Sequence, residues 1–143
     1  MKKLYYSLFI FFLALTSCSD KEQDPSPENF IIGKWSYASV VYNGKRIPPG
    51  FTDEYNTRWV FNADNTYTRK LSHSLGDVLC FSEGTWEVTA NLSKLILKDG
   101  QFGNEVVWDL VDVKNNFLKI RSTTSSKYTN TTTIAEFDMV HTD

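Results

Sequence analysis

From Phe30 onward, apolar and polar positions alternate in short runs rich in Val, Thr, Tyr, Phe and Trp, separated by Gly, Asn and Asp. A period of two sends successive side chains to opposite faces of an extended backbone, which is the mark of half-buried strands. No stretch carries the 3.6-residue period of an amphipathic helix. The pattern predicts eight strands: Lys34 to Tyr42, Arg58 to Asn62, Thr66 to Ser72, Phe81 to Thr89, Lys94 to Lys98, Glu105 to Val113, Phe117 to Thr123, and Thr129 to Val140. The chain reads as all-β.

The connections add the topology. The first, third, fifth and seventh are the longer "NGKRIPPGFTDEYNT", "HSLGDVLC", "DGQFGN" and "TSSKY", whereas the second, fourth and sixth are the tight "ADN", "ANLS" and "KNN". In an antiparallel up-and-down meander alternate connections fall at the same end, so one end is closed by tight turns and the other is ringed by longer loops. Eight such strands can close into a barrel, which removes the exposed edges and encloses either packed side chains or one small ligand.

Following the pleat, one face collects Trp35, Tyr37, Trp59, Phe61, Tyr67, Trp86, Val88, Leu95, Leu97, Trp108, Leu110, Leu118, Ile120, Phe137 and Met139. Two readings of so aromatic a face stand open. Near the tight turns it suits a packed core; near the long loops it suits a cavity, with Tyr37, Trp59, Tyr67, Trp86 and Trp108 as candidate ligand-binding residues. Arg69 shares the face of Tyr67 and Leu71. Inside a barrel its guanidinium needs a partner, and a bound carboxylate would serve; a register slipped by one residue places it outside. The first long loop, with Pro48 and Pro49 to stiffen it and Phe51 and Tyr55 to pack, suits either a lid over the open end or a solvated surface loop.

The residues before the domain carry a different signal. Lys2 and Lys3 precede an apolar run from Leu8 to Leu15, followed by Thr16, Ser17 and Cys18. This order is that of a secretion signal, and even counted from Leu4 the run falls well short of the roughly twenty residues that span a bilayer. "LTSC" resembles the lipobox of bacterial lipoproteins, which implies that residues 1–17 are removed and that Cys18 is acylated as the first mature residue. The stretch from Ser19 to Asn29 has no large apolar side chain and several charges, so residues 18–29 read as an acylated Cys and a flexible tether before a domain at 30–143. The acidic "SDKE" after Cys18 resembles signals that send Bacteroidetes lipoproteins to the outer face of the outer membrane.

Charge and chemistry narrow the functions. The formal net charge is −2, with basic residues scattered among acids, which argues against a nucleic-acid partner. Only Cys80 remains as a mature thiol, in the apolar "VLCFS", so no disulfide within the domain is available and a buried, inert thiol is expected. His73 and His141, the two histidines, lie far apart without metal-ligand spacing, and no nucleophile elbow, P-loop or dinucleotide turn is present. No metal, cofactor or catalytic residue is assigned, and the expectation is a protein that is not an enzyme.

"IIGKW" at Ile31 to Trp35 resembles the G-x-W motif of lipocalins, and "FNADNTYTR" followed by "GTWEV" resembles the lipocalin-like domains of Bacteroidetes lipoproteins. The resemblance covers the whole mature domain and implies a calycin-like barrel. In the lipocalin pattern an Arg on the last strand lies over the motif Trp; here there is no Arg between Thr129 and Asp143, and His141 is the only cationic candidate. Physically, Gly33 admits a turn into the first strand and Trp35 plugs the tight-turn end, its indole N–H seeking a backbone acceptor. Two functions follow from different classes. One is a lipid-anchored barrel, held at the membrane through Cys18, that binds a small apolar or amphipathic molecule. The other is a surface interaction module with a filled barrel that binds glycan or a protein partner.

Overall fold

A computed structural model of the chain describes residues 27–72, 78–126 and 128–143. Cys18, the signal segment, most of the tether and His73 lie outside the described residues, as does the side chain of Cys80. A short 3₁₀ turn at Pro27–Phe30 leads into nine strands: β1 Gly33–Tyr42, β2 Lys45–Ile47, β3 Thr57–Phe61, β4 Thr66–Ser72, β5 Val78–Val88, β6 Lys94–Asp99, β7 Glu105–Lys114, β8 Phe117–Ser126 and β9 Thr131–Thr142. From β3 to β9 each strand pairs antiparallel with the next, and β1 pairs with both β3 and β9. Eight strands thus close an up-and-down barrel, as the alternating pattern predicts.

The ninth strand is the addition. Asn43 and Gly44 both have positive φ, at 48° and 79°, and make a two-residue turn that folds β2 back onto Val40–Tyr42 of β1. An Asn-Gly pair between apolar runs is a strong hairpin signal, and it converts the start of the expected loop into strand. The lower half of β1 pairs with β3, from Gly33 opposite Phe61 to Ser36 opposite Arg58. Its upper half pairs with β2 instead, and a second 3₁₀ turn at Asp53–Asn56 follows.

Among the described residues three strand pairings carry a register shift, and those in β1 and β7 set which side chains face inward. In β1 the register shifts between Tyr37 and Ser39, so Ala38 is skipped and the inward set continues as Val40 and Tyr42. In β7 a shift between Leu110 and Asp112 leaves Asp112 outside and brings Val113 opposite buried Leu118. An extra residue in one strand reverses the parity of everything beyond it. Most of the expected inward face is buried; Val88 and Leu110 are only partly so, while Ile31, Val40 and Ala135 join the core.

The closed end is packed around Trp35, which is fully buried and donates its Nε1–H to the Ile31 carbonyl at 2.8 Å. Gly33 has φ +139°, and a side chain there would collide with the His141 imidazole. His141 stands opposite Trp35 in the β1–β9 register and meets its indole edge-on at 5.3 Å between centroids. The last strand therefore sets a heteroaromatic ring against Trp35 at the closed end. Gly84, in "GTW", lies against β6: an added Cβ would fall on the Lys98 carbonyl oxygen.

Candidate functional site

The inward residues fall into three levels along the barrel. Lowest are Trp35, Phe61, Trp86, Leu95, Leu118 and Met139, all buried, which fill the tight-turn end. Above them stand Tyr37, Trp59, Tyr67, Leu97, Trp108, Ile120 and Phe137, also buried. Toward the long loops the inward positions become polar and smaller. Above this middle level the barrel opens into a cup of two adjoining lobes, about 220 Å³ and 310 Å³, which share Trp59, Arg69 and Trp108. The smaller adds Tyr37, Tyr42, Glu54, Ser122, Thr124, Thr133, Ala135 and Phe137. The larger adds Tyr67, Ser82, Leu97, Asp99, Asn104 and Val106.

The floor is aromatic. Trp108 meets Trp59 edge-on at 5.0 Å and 78°, Phe61 stacks beneath Trp59 at 5.8 Å and 5°, and Tyr37 lies against Phe137 at 5.0 Å. Offset and edge-to-face pairs of this kind are favourable. The Trp59 indole donates to the Tyr37 hydroxyl at 2.9 Å, which locks two floor rings together.

Residues 31–138 match a family model described as a lipocalin-like domain, more than half of the chain. The chain belongs to the lipocalin-like domain family. Its barrel is similar to a solved lipocalin-like protein from Bacteroides uniformis, with a TM-score of 0.56, 10% identity, and coverage of 79% of this chain and 99% of that one. It is also similar to lobster apocrustacyanin A1, with a TM-score of 0.54 and 14% identity, over 85% of this chain but only 65% of that one. A bovine odorant binding protein solved with a selenium-containing odorant matches with a TM-score of 0.46 and 12% identity, over 80% and 71% of the two chains. A search among curated proteins finds no match.

In this lipocalin-like barrel Arg69 lies inside the cup. Trp59 stands opposite it across β3 and β4, and its guanidinium carbon is 5.4 Å from the centre of a Trp59 ring. A planar cation over an indole face is held by the ring quadrupole while its edge stays open. The two carboxylates on the cup have neutral donors of their own: Glu54 accepts from the Tyr42 hydroxyl at 2.6 Å, and Asp99 accepts from the backbone N–H groups of Gln101 and Phe102 at 2.8 Å each. Among the described residues Arg69 takes part in no ion pair.

The phenols around it stay neutral. Burial pushes the Tyr37 hydroxyl well above its ordinary value, and Tyr42 is pushed up to about 12 by burial first and then by Glu54. Burial raises Tyr67 as well. The Arg69 charge opposes all three shifts.

Tyr37, Trp59, Tyr67, Arg69 and Trp108 are thus brought together on one cup. Trp86 is not with them. It is buried at the tight-turn end, edge-on to Phe61 at 5.8 Å, with its Nε1–H donated to the Asn62 carbonyl at 3.1 Å, and it lines neither lobe. Its place in the sequence, three residues short of a tight turn, puts it at the filled level. Tyr42 and Glu54 are cup residues that the alternation alone does not reveal, because the bulge at Ala38 turns Tyr42 inward and a 3₁₀ turn carries Glu54.

The first long loop is fastened over one side of the mouth. The Tyr55 hydroxyl donates to the Ile47 carbonyl at 2.7 Å and accepts from the Val40 N–H at 3.2 Å, while Phe51 is 82% exposed. Tyr55 therefore packs and Phe51 does not, so the loop acts as a braced wall bearing Glu54 rather than a cover sealed by both rings. Among the described residues there is no group of three or more His, Cys, Asp and Glu side chains placed to hold a metal ion.

Proposed function

We propose that this protein is a lipid-anchored lipocalin-like binder of the cell envelope, tethered to the outer membrane through acyl groups on Cys18, that holds a small apolar or amphipathic molecule in the cup. The observation that carries the reading is the division of the barrel into a filled lower half and an open upper half floored by Trp59, Trp108, Tyr37 and Phe137. Concave, largely apolar surfaces with a few fixed polar groups are how proteins hold small ligands. Attachment is supported by the order of Lys2, the apolar run, "LTSC" and a charged tether, and surface display by "SDKE".

A second reading has its own support. Phe51, Phe102 and Tyr128 are exposed on three of the long loops, at the same end as the mouth, and suit a surface that grips a glycan or a protein. Native mass spectrometry of the protein purified without detergent separates the two. The binder is expected to carry a noncovalent small-molecule adduct that is lost on unfolding. The bare polypeptide mass in every preparation would favour the interaction module.

A further inference from the structure

Resting on the proposed binding function, we infer that the cup takes a compact planar acid, its oxyanion held between the Arg69 guanidinium and the Tyr37 hydroxyl and its ring packed against Trp108 and Phe137. All four residues line the smaller lobe.

The acid follows from which donors remain open. Arg69 is the cation of the cup, in no ion pair among the described residues, with its guanidinium carbon 5.4 Å from the centre of a Trp59 ring, and it lines both lobes. The Tyr37 oxygen accepts from Trp59 Nε1, which leaves its own hydrogen to give, and among the described residues no acceptor takes it. Glu54 and Asp99 bring negative charge to the rim, but among the described residues neither pairs with Arg69; their contacts are hydrogen bonds from Tyr42 and from the Gln101 and Phe102 amides. A guanidinium and a hydroxyl donor on one lobe, over an aromatic floor, match an oxyanion better than a neutral group or a cation.

Compactness follows from the floor. The lobe that holds all four residues has about 220 Å³ and the adjoining lobe about 310 Å³, so each alone lies near or below the lower end of the usual range of roughly 300–1,000 Å³ for ligand pockets. Beneath the smaller lobe Phe61, Trp35, Leu118 and Met139 are buried to 1% exposure or less, so among the described residues the barrel there is filled by side chains and leaves little depth for an extended acyl chain. Planarity follows from walls that are themselves rings: Tyr37 and Phe137 lie 5.0 Å apart, and Trp108 stands edge-on to Trp59.

A matched pair of dyes tests the inference. 8-Anilinonaphthalene-1-sulfonate and the neutral N-phenyl-1-naphthylamine share one ring system and differ by the sulfonate. The protein is expected to bind the sulfonate about tenfold or more tighter, the scale of one charge-assisted hydrogen bond. Arg69→Met should bring the ratio of the two affinities close to one, and Arg69→Lys should restore part of it. Tyr37→Phe should lower the ratio severalfold, read only from samples with a cooperative melting transition. Indole-3-carboxylate should displace the sulfonate dye, and palmitate should do so less well. Equal affinities that Arg69→Met leaves unchanged would overturn the anion subsite while the binding function stands. Stronger displacement by palmitate would overturn the compact ligand. If neither dye binds saturably, the proposed function falls together with this inference.

Discussion

Trp35→Ala is expected to lower the stability of the barrel by about 3–5 kcal/mol, the cost of removing a large buried aromatic side chain and leaving a cavity. The site has little freedom to collapse. Trp35 has no exposed surface, and β1 at this level is hydrogen-bonded on both sides, opposite Trp59 of β3 and opposite His141 of β9. The substitution also strips the Ile31 carbonyl of the Nε1–H it now accepts at 2.8 Å, and an unpartnered buried acceptor adds its own penalty. Trp35→Phe should cost less, since it keeps a ring against His141 but loses the hydrogen bond. Urea unfolding gives the answer: the midpoint should fall with the slope unchanged. An unmoved midpoint would mean that Trp35 does not seal the closed end.

Cys18→Ser should release the protein from the membrane fraction and abolish incorporation of labelled fatty acid. Each buried CH₂ contributes about 0.8 kcal/mol, so one acyl chain holds a protein marginally and several hold it firmly, whereas serine carries none. The residues from Ser19 to Asn29 hold no large apolar side chain that could replace the anchor. Retention of the variant in the membrane fraction would contradict attachment through Cys18.

The strand pattern was legible because half-buried strands must alternate, and long and short connections alternate with the barrel's two ends. β4 spans Thr66–Ser72, as the pattern predicts, and β3, β6 and β7 differ from it by a residue or so. What alternation hides is its own interruptions. The bulges at Ala38 and Val111 leave no mark in composition, yet they decide that Tyr42 and Val113 face inward. β2 is a short, mostly polar edge strand, so its three residues carry no apolar signature; only the Asn43–Gly44 pair announced it.

Of the cup, the aromatic floor was readable as large apolar residues on the inward face. The polar wall was not, because Ser122, Thr124 and Thr133 lie in a Ser/Thr-rich stretch whose two faces look alike in sequence. They line the smaller lobe all the same. The side of the sheet that Arg69 occupies needed the register itself: Trp59 opposite Arg69 and Phe61 opposite Tyr67 put the guanidinium inside. Trp86 and Trp108 are the same residue type on the same face, and only their heights along the barrel separate a structural plug from a cup wall.

The measurement closest to the central claim is a titration with N-phenyl-1-naphthylamine, exciting the tryptophans and reading the dye. Trp59 and Trp108 line both lobes, so a dye seated there lies within short range of two indoles. If the upper barrel is a ligand cup, dye emission by energy transfer should saturate at one site per chain while indole emission falls in step. A signal that rises linearly without saturating, or never appears, would contradict it.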